Sequence, residues 1–305
     1  MRIIFMGTPD FAVASLDALV QSGENIVAVV TAPDKPAGRG QKLHQSAVKV
    51  YAEAHGIPVL QPVKLRDPDF LEELRIYQAD LQVVVAFRML PEAVWNMPPY
   101  GTINVHASLL PQYRGAAPIN HAIINGEKVS GVSTFLLQHE IDTGNILLSE
   151  QVAIAPDDNA GILHDKLMHT GAQLLLKTLT GLKTNTLTPK AQSTLIPESK
   201  LKHAPKIFKE NCQIDWNQDV DTIYNLIRGL SPYPTAYTYL DNKVLKIYMG
   251  TKEYSTPDIT PGDYKTDGKS YLKFASNNGY INVVQLQIEG KKKMEIIDFL
   301  RGYRF

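Results

Sequence analysis

Short apolar runs rich in β-branched residues alternate with amphipathic segments through the first half of the chain, and this pattern constrains the fold most strongly. The runs that read as strands are residues 2–6, 26–31, 58–60, 81–87 and 101–107. Between the first two, an amphipathic helix is predicted over about residues 10–21, with Thr8 or Asp10 as N-cap and Gly23 just past its end. Such βαβ repeats predict an α/β domain with a mostly parallel sheet.

The length of the chain and a late change in its pattern predict two domains. At 305 residues with 44% hydrophobic content, the chain exceeds one ordinary core. Strands at 129–138 and 146–154 and a helical segment at 159–179 complete a first domain, residues 1–189. Residues 190–206 are rich in Ser, Pro and Lys and read as a linker. Residues 207–305 contain one clear helix, 220–229, and short strand-like runs between turns, which favours a small β-barrel.

Charge and cysteine content limit the functional classes. Residues 1–199 carry 15 Lys and Arg against 19 Asp and Glu, whereas residues 200–305 carry 16 against 12. The last third is therefore the candidate binder of a polyanion, with a solvated basic face as the alternative. The single cysteine, Cys212, excludes an internal disulfide and a cysteine-based zinc site. Without a run of about 18 apolar residues or a signal-peptide core, we expect a cytoplasmic protein with no membrane partner.

Asn104 and His106 are the first candidates for catalysis. They lie two residues apart near the end of the strand at 101–107, so their side chains point to one face. Ligands of open parallel sheets bind beyond the carboxyl ends of the strands. An amide can stabilise an oxyanion and an imidazole can move a proton near neutral pH, as acyl transfer requires. The alternative is a histidine whose hydrogen bonds are satisfied within the core.

The segment that follows, Ser108 to Pro111, places two leucines and a proline directly after the polar pair. It could form an apolar wall with exposed backbone amides for a flat, amide-bearing ligand. Arg114 then begins the segment RGAAPIN, which is predicted to start a helix, with a simple loop-to-helix junction as the alternative.

A third candidate is Asp142, in the sequence HEIDTGN between two predicted strands. Its carboxylate could orient His106 and stabilise the protonated imidazole. The alternative is a tight turn in which the aspartate caps its own backbone. His139 and Glu140 are adjacent and cannot easily face one ion, so no metal is expected.

Two loops remain. The sequence GTPDFA after the first strand lacks the Gly-x-Gly-x-x-Gly spacing of a dinucleotide site, which disfavours a dehydrogenase and leaves a tight turn as the alternative. Residues 32–50 form a connection longer than a βα unit needs, and they contain Lys35, Arg39 and Lys42. The loop either orders on a nucleic-acid backbone or is a solvated flexible segment.

These segments together resemble the methionyl-tRNA formyltransferases over nearly the whole chain. The matching segments, in the family's order, are GTPDFA, PAGRGQKL, ADLQVVVA, NVHASLLPQYRGAAPI, IDTG and SKLKHAPKI. The segment at 104–119 is typical of folate-dependent formyltransferases in general. The segment at 36–43, together with a C-terminal domain, is typical of the tRNA enzymes.

The resemblance implies a Rossmann-like formyltransferase domain followed by an OB-like barrel that binds tRNA. It implies that Asn104, His106 and Asp142 are catalytic. It implies 10-formyltetrahydrofolate as a consumed co-substrate, without a metal, and methionyl initiator tRNA as the acceptor, in a monomeric protein. The folate-binding residues that it implies are Phe87, Arg88, Leu90, Ser108, Leu109, Leu110 and Pro111, and the tRNA-binding residues are Lys35, Arg39, Lys42 and Lys206.

The chain departs from the family pattern at two places. The run from Phe87 to Pro91 is one residue short, and Arg88 places a cation where the family lines its pterin pocket. Asn145 stands where an acidic residue is common. One alternative function is a sugar-nucleotide N-formyltransferase or another folate-dependent formyltransferase, neither of which needs residues 36–43. A second alternative is a non-catalytic folate- or RNA-binding protein, which does not need the catalytic trio.

Overall fold

The computed structural model describes residues 1–37 and 42–305. Up to residue 183 its strands are β1 (Arg2–Gly7), β2 (Asn25–Val30), β3 (Lys35–Ala37), β4 (Lys42–His44), β5 (Val59–Leu60), β6 (Leu81–Val85), β7 (Thr102–His106), β8 (Arg114–Gly115), β9 (Val129–Leu136) and β10 (Ile146–Ala153). The helices of this part are α1 (Asp10–Gln21), α2 (Ala47–Ala54), α3 (Pro68–Ile76), α4 (Glu92–Trp95), α5 (Pro118–Ile124) and α6 (Ala160–Lys183).

The rest of the chain is mainly antiparallel. Its strands are β11 (His203–Ala204), β12 (Ala236–Leu240), β13 (Lys243–Tyr254), β14 (Tyr264–Thr266), β15 (Leu272–Ala275), β16 (Gly279–Ile288) and β17 (Met294–Glu295). Its α-helices are α7 (Val220–Gly229) and α8 (Ile296–Gly302), and short 3₁₀ helices cover Gln192–Thr194, Glu198–Lys200 and Lys209–Cys212.

The chain forms two compact units whose segments alternate along the sequence. The first unit comprises Met1–Arg114, Gly131–Val152 and His164–Lys202. The second comprises Gly115–Ser130, Ala153–Leu163 and His203–Phe305. The predicted domains, residues 1–189 and 207–305, are continuous stretches of the sequence, whereas each compact unit combines three separate stretches. The predicted domain boundaries therefore remain a prediction.

The first unit is built on a mostly parallel sheet with the strand order β10-β9-β7-β6-β1-β2-β5. The apolar run of β6 is buried at all five positions, as expected for a central strand with both faces covered. The chain moves outward from β1 to β2 and β5, and then returns to build β6, β7, β9 and β10 on the other side of β1. This reversal between β1 and β6 is the kind of position where open α/β sheets bind ligands, and the predicted α/β class is confirmed.

The second unit contains an antiparallel sheet with the order β12-β13-β16-β15-β14, and β17 also pairs with β16. The long strand β13 has register shifts between Ile247 and Met249 and between Met249 and Gly250. Such irregularities bend a strand and increase its twist, which curls the sheet as a small barrel domain requires. The predicted small barrel is confirmed, with α7 packed on this sheet.

Several local predictions need correction. Helix α1 begins at Asp10 with Pro9 as N-cap, and no side chain caps it, so neither Thr8 nor Asp10 has the predicted capping role. The segment at 114–120 does not start as a helix, because Arg114–Gly115 is a strand and α5 begins at Pro118. Residues 207–305 contain a second α-helix, α8, which is too short to show a clear period in the sequence.

Candidate active site

The candidate site lies at the carboxyl end of β7, where three strands of the first unit end together. Gly7 of β1 is in register with Val85 of β6, and Val85 is in register with Val105 of β7. On its other side β7 pairs with β9, with His106 opposite Ser133 and no break in register. The side chains of Asn104 and His106 therefore lie on one face of the sheet, as predicted from their spacing.

His106 is held in a defined orientation. Its side chain is 8% exposed, and Nε2 lies 2.9 Å from the backbone oxygen of Tyr113. A carbonyl oxygen only accepts hydrogen bonds, so Nε2 must carry a proton and donate it. In the neutral imidazole the other nitrogen, Nδ1, then has the free lone pair. His106 can therefore accept a proton at Nδ1 without breaking its bond to Tyr113.

Asp142 faces that second nitrogen. Its Oδ2 lies 3.9 Å from His106 Nδ1, and its side chain is 11% exposed. This separation is longer than a hydrogen bond, but it places a carboxylate directly beside Nδ1. The structure thus brings together the histidine and the aspartate that are 36 positions apart in the sequence.

The turn that carries Asp142 has unusual backbone geometry. Asp142 has a φ of 55°, in the left-handed region that aspartate tolerates better than most residues. Gly144 lies so close to the Leu136 carbonyl that any Cβ would overlap it. Leu136 N–H in turn donates to Asn145 O at 3.1 Å. A glycine at position 144 is therefore needed to bring the turn against the end of β9.

Asn104, unlike His106, is not held by hydrogen bonds to the described residues. Its side chain is only partly buried, and it makes no hydrogen bond with any residue in the described ranges. The donors of its amide are thus available to a ligand on the same face as His106. This is the arrangement that an oxyanion-binding amide requires.

The segment from Ser108 to Pro111 is held by hydrogen bonds to Ser133, a fully buried residue of β9. Ser133 Oγ donates to Ser108 O at 2.8 Å and accepts from Leu110 N–H at 3.0 Å. The Leu110 amide is therefore used within the protein and is not offered to a ligand. Leu110 itself packs in a core cluster with Phe135 and Ile146, which leaves the partly buried Leu109 as the more accessible leucine.

The family resemblance implies that this segment binds folate, and on that expectation Ser133→Ala should weaken folate use because it releases both ties on the segment. Each buried backbone group left without a partner costs about 1–3 kcal/mol unless water replaces the hydroxyl. KM for the folate should rise more than kcat falls, and urea denaturation should show lower stability. Ser149→Ala is the matched control, since Ser149 Oγ bonds Ser133 Oγ at 3.0 Å but holds neither backbone group. Equal effects of the two substitutions would contradict this role.

Phe87, Arg88 and Leu90 follow β6 at the same edge of the sheet but differ in exposure. Leu90 is buried in a core cluster, Phe87 is partly buried and Arg88 is exposed. The Arg88 guanidinium donates to Val63 O at 2.9 Å and to Pro62 O, and it lies 5.5 Å from the centre of the Phe87 ring. Partial desolvation lowers the pKa of Arg88 from its ordinary value, although an arginine remains charged. Arg88 is thus engaged with backbone carbonyls of the loop at 62–63.

The predicted tRNA-binding residues are distributed over both units. Lys35 is exposed on β3, which pairs with β4 through Lys35 opposite His44. Lys42 belongs to β4, whereas Arg39 lies outside the described residues. Lys206 is in the second unit, with its ammonium 5.4 Å from the centre of the Phe208 ring.

The base of the loop at 32–50 is ordered by one carboxylate. Asp34 accepts from Lys49 Nζ at 2.6 Å and from Gln61 Nε2 at 2.8 Å, and these contacts lower the pKa of Asp34. Gln61 also donates to Ala32 O at 2.9 Å. The ends of this long connection are therefore tied to the first unit on both sides of the β3–β4 hairpin.

Two models of protein families together match most of the chain. The family described as Formyl transferase matches residues 1–179, and the family described as Formyl transferase, C-terminal domain, matches residues 206–304. The methionyl-tRNA formyltransferase of Phocaeicola vulgatus is 56% identical over 311 residues, which cover 100% of this chain and 96% of that protein. The chain belongs to the methionyl-tRNA formyltransferase family. The family resemblance of its motifs is thereby confirmed.

One further relative and one solved structure are also similar to this member of the methionyl-tRNA formyltransferase family. The methionyl-tRNA formyltransferase of Bacteroides thetaiotaomicron is 52% identical over 309 residues, covering 100% of this chain and 96% of that protein. An N-formyltransferase from Helicobacter canadensis, solved with folinic acid and dTDP-3-aminofucose, has a TM-score of 0.68 at 20% identity, covering 93% of this chain and 99% of that one. At this identity the likeness shows the fold alone.

The described residues contain neither a metal-binding cluster nor a membrane-spanning helix. No group of three or more His, Cys, Asp or Glu side chains within residues 1–37 and 42–305 could hold a metal ion. None of the helices in those same ranges is long and apolar enough to cross a membrane.

Three residues around the site were not predicted from the sequence. They are Ser133, which holds the segment after β7, Tyr113, whose carbonyl fixes His106, and Gln192, which contacts the Asp142 turn. Tyr113 acts through its backbone carbonyl, and the Ser133 hydroxyl holds backbone groups of Ser108 and Leu110, so neither role leaves a signal in the sequence. Gln192 lies in the predicted linker, where only an isolated amide side chain distinguishes it.

Proposed function

We propose that this chain transfers the formyl group of 10-formyltetrahydrofolate to the α-amino group of methionine on initiator tRNA. The observation that carries the proposal is the Asp142 carboxylate 3.9 Å from His106 Nδ1, at the sheet edge that presents the Asn104 amide, which has no partner among the described residues. These groups match what direct acyl transfer needs, an oxyanion donor and a proton acceptor. The chain covers 96% of the Phocaeicola vulgatus relative, whose name describes this reaction.

The site residues fit a folate that presents a formyl group. When bound, the folate supplies a formyl carbon as the electrophile, on a nitrogen that departs with a proton. The free amide of Asn104 donates to the formyl oxygen as negative charge develops there. The partly buried Leu109 and Phe87 offer apolar surface beside that amide, as a flat ring system requires.

His106 and Asp142 manage the proton that leaves the attacking amine. As the amine nitrogen bonds to the formyl carbon, its proton must leave before the old carbon–nitrogen bond breaks. Nδ1 of His106 accepts a proton while Nε2 keeps its bond to Tyr113 O. The resulting imidazolium lies beside the Asp142 carboxylate, which stabilises it and holds it in place. The protonated ring can then stabilise the oxyanion or return the proton to the leaving nitrogen.

Two acceptors and a blank without an acceptor test the proposal in one assay. The purified chain is incubated with 10-formyltetrahydrofolate and, separately, with methionyl initiator tRNA, a dTDP-linked amino sugar, or no acceptor. We expect formylated methionyl-tRNA and no formylated sugar. Sugar formylation alone would establish the alternative enzyme, and binding without any product would establish the non-catalytic alternative. Light scattering and cell fractionation test the accompanying proposals of a monomer and a cytoplasmic location.

The loop at 32–50 supplies the tRNA contact in this proposal, through Lys35, Arg39 and Lys42, and Lys206 adds a contact from the second unit. We expect Arg39→Ala to lower kcat/KM for methionyl-tRNA while folate affinity stays unchanged, because the guanidinium can pair with a phosphate or stack on a base. The slope of log affinity against log salt should fall by about one for each lost phosphate contact. Fluorescence titration with tRNA at several salt concentrations measures this slope.

The matched control for Arg39 is Arg75→Ala, which removes one positive charge from the surface of the same unit. Arg75 is exposed on α3 and pairs with Glu72 at 2.9 Å. Wild-type kcat/KM in Arg39→Ala, or an equal loss in Arg75→Ala, would contradict a specific contact. So would an equal defect with a methionyl substrate that lacks the acceptor stem.

A further inference from the structure

Gln192 is a buried polar residue in a segment that the sequence predicts to be a linker. It is only 2% exposed, and its Nε2 donates to Asp142 O at 2.8 Å and to Gly144 O at 2.8 Å. Both carbonyls belong to the turn that carries the Asp142 carboxylate. One side-chain amide thus uses both of its donors to hold the two ends of that turn.

Arg114 determines which way this amide points. Arg114 donates from Nε and Nη2 to Gln192 Oε1, at 2.9 and 2.8 Å. A guanidinium has donors only, so the atom that it meets must be the amide oxygen, and Nε2 must face the turn. The reversed amide would place its NH₂ against the guanidinium and its oxygen against two carbonyls, which costs every one of these bonds.

The backbone of the same segment is also fixed. Lys190 and Ile146 exchange two backbone hydrogen bonds, at 2.9 and 2.8 Å, so residue 190 pairs with the start of β10. Gln192 begins a 3₁₀ helix directly afterwards. These contacts bring the amide to the turn with little freedom to move.

Tyr113 and Arg114 connect these contacts to His106. The Tyr113 carbonyl accepts from His106 Nε2, and the next residue holds Gln192 through its side chain. The contacts therefore run from His106 through Tyr113, Arg114 and Gln192 to Asp142, which faces His106 again. In this closed ring both catalytic partners are held by one pair of adjacent residues.

We propose that Gln192, oriented by Arg114, is a positioning residue for formyl transfer that sets the distance between the Asp142 carboxylate and His106. The proposal rests on the proposed function, because it assigns the geometry of the same site. In this role Gln192 touches neither the folate nor the tRNA, and it acts through the backbone of Asp142. Its loss should therefore slow the chemical step and leave substrate binding nearly unchanged.

Gln192→Met and Gln192→Glu test this role. Methionine keeps the volume and removes the donors, whereas glutamate keeps a partner for Arg114 and places an oxygen against the two carbonyls. We expect either variant to lower the single-turnover rate of tRNA formylation roughly ten- to hundredfold, since small misplacements of reacting groups have effects of this size. KM for folate and for tRNA should change little.

Gln151→Met and Gln151→Glu are the matched controls. Gln151 is exposed on β10, in the same unit, and its side chain makes no hydrogen bond to the described residues. Both control variants should keep the wild-type rate. An equal slowing in the Gln151 variants, or a wild-type single-turnover rate in the Gln192 variants, would overturn the proposal.

A double-mutant cycle with Asp142→Asn separates positioning from general weakening of the fold. If Gln192 acts through the Asp142 carboxylate, Gln192→Met should have little further effect on the rate once that carboxylate is gone. Multiplying effects would overturn the proposal. A wild-type rate in Asp142→Asn alone would instead refute the proposed catalytic role of Asp142, so the two failures are distinguishable.

Arg114→Lys keeps the proposal testable if the Gln192 variants do not fold. Lysine keeps the charge but cannot donate two parallel bonds to one oxygen in the same fork, so the amide loses part of its orientation. The single-turnover rate should fall relative to the wild type, and Arg114→Lys should have little further effect in the Asp142→Asn enzyme. A wild-type rate in a folded Arg114→Lys enzyme would overturn the proposal that Arg114 orients Gln192 for formyl transfer.

Discussion

His106→Ala should lower the rate of formyl transfer by roughly a hundred- to ten-thousandfold, the range expected when a positioned proton-transfer group is lost. The substitution removes Nδ1, the nitrogen that faces Asp142, while the sheet around it keeps its apolar core. Single-turnover formylation at saturating folate and tRNA measures the effect on chemistry. Thermal unfolding should change only modestly.

His169→Ala is the control for this substitution. His169 is exposed on α6 in the same unit, where Nδ1 lies 2.7 Å from Asp165 O. Its loss should leave the rate unchanged. If His106→Ala retained a rate near that of the wild type, His106 would have no part in the proton transfer, and its bond to Tyr113 O would have only a structural role.

Asp142→Asn should cause a loss of the same order, roughly a hundred- to ten-thousandfold, because it removes the charge that stabilises a protonated His106. Asparagine has nearly the same shape as aspartate and tolerates the positive φ of this turn, so the backbone can stay in place. The fall should therefore appear in kcat, with KM for folate and the urea midpoint close to those of the wild type.

A second aspartate–histidine contact provides the control. Asp165 Oδ1 lies 2.9 Å from His164 Nδ1, but Asp165 is exposed on α6. Asp165→Asn should have no effect on formyl transfer, although it removes the same kind of interaction. If Asp142→Asn kept full activity, or lost activity only because it unfolded, the carboxylate would have no catalytic role.

The strands that carry the site could be predicted closely from the sequence. The predicted 81–87 and 101–107 correspond to Leu81–Val85 and Thr102–His106, because continuous apolar runs leave few alternatives to a buried strand. The common face of the Asn104 and His106 side chains could also be predicted, because side chains two residues apart lie on one face of any regular strand. Short elements such as α3 and α8 escaped prediction, since so few turns produce no sustained pattern.

The contacts that complete the site could not be predicted in the same way. The His106 tautomer depends on the Tyr113 carbonyl, and every residue has a carbonyl. Gln192 lies 50 residues from Asp142 in the sequence, in a segment whose composition is that of a connector. Only the folded chain shows that a connector can carry a buried amide, because tertiary contacts and not local pattern determine its burial.

The alternation of the two compact units has a consequence for how this chain is made. Residues 115–130 and 153–163 belong to the second unit, yet the ribosome synthesises them long before His203–Phe305, the last segment of that unit. At about 5–20 residues per second, Leu163 is made roughly 3–13 seconds before Gly229, the last residue of α7. During that interval α5 lacks α7, the helix with which it packs. A nascent chain at this stage exposes apolar surface, so it is a natural client for ribosome-associated chaperones, and neither unit can be exchanged between proteins by a single crossover in the gene.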